Sequence, residues 1–128
     1  MMKNKSAALY YKNTDELKSA NPRDINSILV TCFDELLSSI KLFQDNIKPE
    51  INNIRKKSNS FSKALTIIYS LQSCINFEKN LDVAKSLFQI YEFTRVALIE
   101  EFKTCTVNKS EKALTALTQI RDSWEAVK

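Results

Sequence analysis

Glycine and histidine are both absent from this chain of 128 residues. At an average usage near 7% a domain of this length would hold about nine glycines, because hairpins, bulges and phosphate-binding loops need φ > 0. Their absence excludes a glycine-rich phosphate cradle and points to a helical fold. The abundance of lysine, isoleucine and asparagine also fits a coding sequence poor in G and C, which would thin out glycine whatever the fold. Missing histidine removes the commonest general base and the commonest metal ligand. A Ser or Cys nucleophile then lacks its usual activating partner, and the Glu-x-x-His ligands of a di-iron bundle cannot be assembled. Binding, without catalysis and without a cofactor, is the expectation.

Long apolar runs are missing as well. Ala64-Leu65-Thr66-Ile67-Ile68 falls far short of the roughly 20 residues that span a bilayer, so no membrane insertion is expected. The start, Met1-Met2-Lys3-Asn4-Lys5, leads into the polar stretch Tyr11-Lys12-Asn13-Thr14-Asp15-Glu16 and not into the apolar core of a signal peptide. Cysteine is scarce and odd in number. Cys32, Cys74 and Cys105 stand among apolar helical positions, reading as small buried hydrophobes in a reducing compartment, which places the chain in the cytoplasm. The net charge is +4, with its densest cluster at Arg55-Lys56-Lys57. A solvated helix face explains that cluster, and a nucleic-acid site is the weaker reading because no aromatic residues interleave with it.

What is present is helical periodicity. Ile25, Ile28, Leu29, Cys32, Phe33, Leu36, Leu37, Ile40, Phe43 and Ile47 follow the three-four alternation of a helix with a broad apolar face, which Lys48-Pro49 ends. A second stripe runs Ile51, Ile54, Ser58, Phe61, Leu65, Ile68, Gln72, Ile75 and fades at residues 76–80. A third helix is expected over Leu81 to Lys103, with Ala84, Leu87, Phe88, Tyr91, Arg95, Leu98 and Phe102 on one face, Asn80 as its N-cap and Asp82 in its first turn. The fourth stripe is Leu114, Leu117, Ile120, Trp124 and Val127, with Asn108 and Glu111 spaced as a cap pair. Four helices joined by short connections predict an all-α, antiparallel up-down four-helix bundle over residues 24–128, preceded by a leader of residues 1–23.

The adjacent acids Asp34-Glu35 and Glu100-Glu101 point about 100° apart on a helix and read as exposed charges. Trp124 lies on its stripe and reads as core. Large side chains outnumber what one seam per helix absorbs, so part of this surface is expected under the leader or under a partner, unless the core is simply wide. A groove accepting an amphipathic client helix would use it.

The run Lys63-Ala64-x-x-Ile67-Ile68-x-x-Leu71-x-x-Cys74-Ile75-Asn76-x-Glu78, continued by Val83-Ala84-x-x-Leu87-x-x-Ile90-Tyr91-x-Phe93, resembles the FliS family of flagellin export chaperones. Ile28-Leu29-Val30-Thr31-Cys32-Phe33-Asp34-Glu35-Leu36-Leu37 is similar to that family's L-V-x-M-L-Y-D-G-A-I, Ile120-Arg121-Asp122-Ser123-Trp124 to its L-R-x-A-W, and Leu17 to Pro22 to its V-x-T-A-S-P. The family's paired glycines fall on Asn80-Leu81, its D-G glycine on Glu35 and a tyrosine on Phe33. Asn80 is expected to take over one glycine turn, since asparagine tolerates the left-handed conformation best among the remaining side chains.

The resemblance implies a cytoplasmic chaperone, monomer or weak homodimer, that holds the C-terminal amphipathic segment of flagellin and releases it at the flagellar type III export gate, with no nucleotide or metal. It further implies that the N-terminal segment can cover the client groove. Tyr10 and Tyr11 are then a displaceable plug, and Ile28, Phe33, Leu36 and Ile40 complete the expected partner-binding group. Two other readings stay open at this point: a helical adaptor for another amphipathic helix, and a nucleic-acid binder using Arg55, Lys56, Lys57 and Lys63, whose affinity would fall steeply with salt.

Overall fold

Proline loses nothing at the start of a helix, where its missing N–H would have no partner, and the first helix, α1, begins on one: Pro22–Asp45. A computed structural model of the chain describes Tyr11 and residues 22–126, with side chains from Ile25 onward. After α1 come a single 3-10 turn, Pro49–Ile51, then α2, Ile54–Ser73, α3, Leu81–Thr104, and α4, Ser110–Glu125. Helix α1 packs against α2 and α4, and α3 closes the ring against the same two. The fold is the expected four-helix bundle, with the described part of the leader represented by Tyr11.

The seam of α1 is narrower than its stripe. Ile25, Leu29, Phe33, Leu36, Leu37, Ile40 and Phe43 are buried, as is Ile47 just past the end of the helix, while Cys32 is half-buried and Ile28 turns outward. Two aromatic clusters fill the interior. Phe43, Phe61 and Phe102 from α1, α2 and α3 meet with centroids 4.5–6.4 Å apart, and Phe33, Tyr91 and Trp124 from α1, α3 and α4 meet elsewhere along the bundle. Trp124 is fully buried, as its stripe predicts.

The second stripe does not form one continuous helix. Proline cannot extend a helix from before it, and after the 3-10 turn Asn52 takes the left-handed conformation at φ 56°. The chain therefore re-enters a helix only at Ile54, which is 64% exposed. Asn80 caps α3 as expected, its side-chain oxygen accepting from the Val83 N–H at 3.3 Å. Its backbone, however, is extended at φ −151°. Among the described residues the left-handed ones are Asn52 and Cys105, not Asn80.

Two charges depart from the surface roles the sequence suggests. Glu100 is exposed, but Glu101 is only 1% exposed. Its carboxylate accepts from the Asn108 N–H at 2.9 Å, the Ser110 N–H at 2.8 Å and the Ser110 hydroxyl at 2.6 Å. Helix α4 is thus capped by a side chain from the last turn of α3, where the sequence suggested an Asn108–Glu111 pair. The negative charge also faces the positive end of the α4 dipole. Lys57, within the basic cluster, is 6% exposed. Its ammonium donates to Cys105 Sγ at 3.2 Å and lies 4.9 Å from the centre of the Phe102 ring, at the C-terminal, negative end of α3.

Glu101→Ala leaves two backbone N–H groups and a hydroxyl without their acceptor. It should lower the unfolding free energy by about 2–3 kcal/mol in urea titration. A loss below about 0.5 kcal/mol, the range of an ordinary surface change, would show that this carboxylate does not hold the α3–α4 turn.

Candidate functional site

A tyrosine ring is apolar to its edge and polar at its tip, so burying one requires both a matching cavity and a hydrogen-bond partner. Tyr11 meets both conditions far from its place in the sequence. It is 3% exposed, and its backbone forms an isolated antiparallel bridge with Ile75, just beyond the end of α2. Its ring stands edge-on to Trp124, with centroids 5.6 Å apart at 80°. Its hydroxyl shares a hydrogen bond with the hydroxyl of Tyr91 on α3. Beneath them Phe33 touches Trp124 at 5.2 Å and Tyr91 at 6.1 Å. Four aromatic rings from the leader, α1, α3 and α4 therefore share one socket, and such pairs contribute about 0.5–1.5 kcal/mol each beyond burial.

Burial also fixes the protonation of the two hydroxyls. Removal from water raises the Tyr11 phenol well above its ordinary value, and the neighbouring Tyr91 raises it further. Burial raises Tyr91 as well, with the hydrogen bond from Tyr11 acting in the opposite direction. Both groups stay neutral throughout the physiological range. The Trp124 indole N–H is buried and has no acceptor among the described residues.

Of the residues expected to face a partner, Tyr10 lies outside the described residues. Tyr11 sits in the socket, Phe33 forms its floor, and Leu36 and Ile40 are wholly buried further along α1. Ile28 is the one of these at the surface. The geometry brings Tyr11 and Phe33 together through Trp124. Sequence reasoning left Ile75, Tyr91 and Trp124 out of the partner-binding group. A hydroxyl on a buried stripe needs a partner, which marks Tyr91 as in need of one, but only the tertiary contact identifies that partner as Tyr11.

Exposed apolar residues continue from the socket. Phe77 and Phe88 are exposed and touch each other, with centroids 6.1 Å apart. Phe77 follows Ile75 by two residues, Phe88 precedes Tyr91 by one turn, and Leu81 is exposed between them in sequence. The basic cluster is more divided. Arg55 and Lys56 are exposed and Lys57 is buried, while Lys63 lies 3.2 Å from the Glu35 carboxylate. On the α1–α4 side Arg121 pairs with Asp34 at 2.7 Å and with Glu125 at 2.7 Å. Cys32, Cys74 and Cys105 are half-buried and are not joined in a disulfide. No described helix is long and apolar enough to cross a membrane.

Because both socket phenols resist ionisation, their effect on stability has a defined sign. Above about pH 10 an unfolded tyrosine loses its proton while the seated pair keeps it. The unfolded state then binds fewer protons, and stability falls as pH rises. The double variant Tyr11→Phe, Tyr91→Phe should therefore lose less stability than the wild-type chain between about pH 9 and about pH 11 in denaturant titrations. Equal losses would mean that the pair is not buried in solution.

Among known proteins, the family model described as "Flagellar protein FliS" matches residues 2–128. The chain is also 27% identical over 112 residues to the flagellar secretion chaperone FliS of Vibrio cholerae serotype O1, an alignment covering 88% of this chain and 79% of that protein.

Proposed function

The chain belongs to the FliS family of flagellar proteins, and from that premise we propose that it is a flagellar secretion chaperone whose client is flagellin. It binds the C-terminal amphipathic segment of flagellin in the cytoplasm, prevents premature polymerisation and delivers the client to the flagellar type III export gate. The observation that carries this reading is Tyr11. A residue of the leader occupies an apolar socket among the helices, held by one bridge to Ile75, one ring contact with Trp124 and one hydroxyl contact with Tyr91. A competing chain of the right chemistry can take such a seat.

In the free chaperone Tyr11, with Tyr10 beside it in sequence, plugs the groove. In the complex the plug withdraws, and Phe33 on the socket floor becomes client-facing. Ile28 contacts the client from the surface of α1, while Leu36 and Ile40 extend the apolar floor. Phe77, Phe88 and Leu81, already exposed, give the client a first foothold. The cost of ordering a disordered client, about 2–5 kcal/mol, is met by apolar burial. The role is one of binding, in which no cofactor and no bond-making step takes part.

Titration of the purified full-length chain with the C-terminal segment of flagellin from the same organism tests this reading. The expected result is a one-to-one complex of sub-micromolar affinity, little weakened by salt, with a gain of helical circular dichroism. Absence of binding at tens of micromolar would overturn it, and preferential binding of an unrelated amphipathic helix would assign the groove to a general helical adaptor.

A further inference from the structure

We infer that Tyr91 selects what may occupy the socket: the client segment that replaces Tyr11 carries a hydrogen-bonding tip on an apolar stem and delivers it to the Tyr91 hydroxyl. This inference rests on the flagellin reading above and adds to it the chemistry of the displacing residue.

Tyr91 is fully buried, and its hydroxyl is partnered by Tyr11. When Tyr11 leaves and an occupant reseals the socket, that hydroxyl is again cut off from water. A purely aliphatic side chain would fill the space and leave the hydroxyl unpaired, which is costly because the full desolvation of the group goes uncompensated. An occupant ending in a hydroxyl or a carboxamide restores the pair. Trp124 adds a second reason. Its indole N–H is a buried donor with no acceptor among the described residues, and its ring is the one against which Tyr11 packs. The occupant's backbone has a template too, since Tyr11 itself pairs as extended chain with Ile75. The best-fitting occupant is therefore an extended client stretch presenting tyrosine, glutamine or asparagine among apolar neighbours.

Three full-length variants separate this from a merely space-filling socket, with affinity for the flagellin C-terminal segment measured by calorimetry. Apparent affinity scales with the fraction of chaperone whose socket is open. Tyr11→Phe leaves Tyr91 unpaired in the closed state only, so it should bind the client about tenfold more tightly than wild type. Tyr91→Phe weakens the closed and the bound states alike, and its affinity should stay near that of wild type. The double variant restores an all-apolar closed state but lacks the hydroxyl the client needs, so it should bind about tenfold more weakly than wild type.

Reversal of sign between Tyr11→Phe and the double variant supports the inference. If Tyr91→Phe tightens binding as much as Tyr11→Phe, and the double variant binds as well as wild type or better, the client does not use Tyr91 and the inference falls while the chaperone reading stands. Failure of the wild-type chain to bind at all would overturn the flagellin reading and this inference with it. Phenylalanine keeps the ring at both positions, and matching circular dichroism spectra confirm that each variant is folded.

Discussion

Tyr11 and Tyr91 bury their hydroxyls against one another across a separation of 80 residues. Neither group reaches water, so each depends on the other, and the two rings join Phe33 and Trp124 in a single packed cluster. This arrangement ties the leader to α3 and α4 through one side chain, and through their rings to Phe33 on α1. It also makes the tie conditional. Helix–helix seams built from many leucines and isoleucines separate only when the protein unfolds, whereas a single inserted ring with one hydrogen bond can be exchanged for another ring with another. A bundle that ends its core in such a contact is stable and still open to replacement at one place.

The connections between the helices are held by contacts of a different kind. Glu101 organises the α3–α4 turn twice. Its backbone carbonyl accepts from the Cys105 N–H at 2.8 Å, fixing the left-handed end of α3, and its carboxylate caps α4. Lys57 reaches the same corner from α2 through Cys105. In a chain without glycine the left-handed positions among the described residues fall on Asn52 and Cys105, and each is paired with a backbone hydrogen bond that closes its turn. Backbone hydrogen bonds thus hold two non-glycine residues in a conformation that glycine adopts more readily.

The number of helices, their order and most of their ends were legible because apolar spacing, Pro49 and Asn80 act locally. The core seam of α1 was legible for the same reason. Glu101 was not, since a carboxylate beside another carboxylate looks like surface until the turn bringing Asn108 and Ser110 to it is known. Lys57 was hidden in the same way by its two basic neighbours. Asn80 was a fair guess for a left-handed turn, but capping needs an extended backbone there, and the capping role won. At the candidate site, Tyr11 could be inferred from family resemblance and Phe33 from its stripe. The role of Tyr91 needed the tertiary contact, because nothing local to α3 says which distant hydroxyl will meet it.

The central claim is that Tyr11 occupies a seat the client takes over, and hydrogen–deuterium exchange on the full-length chain, free and saturated with the flagellin C-terminal segment, tests it most directly. On this account the peptide containing Tyr11 loses protection when the client binds, while peptides from α1, α3 and the C-terminal half of α4 keep theirs or gain more. Unchanged or increased protection around Tyr11 in the complex would contradict the account, because the leader would then remain in its socket while the client binds elsewhere.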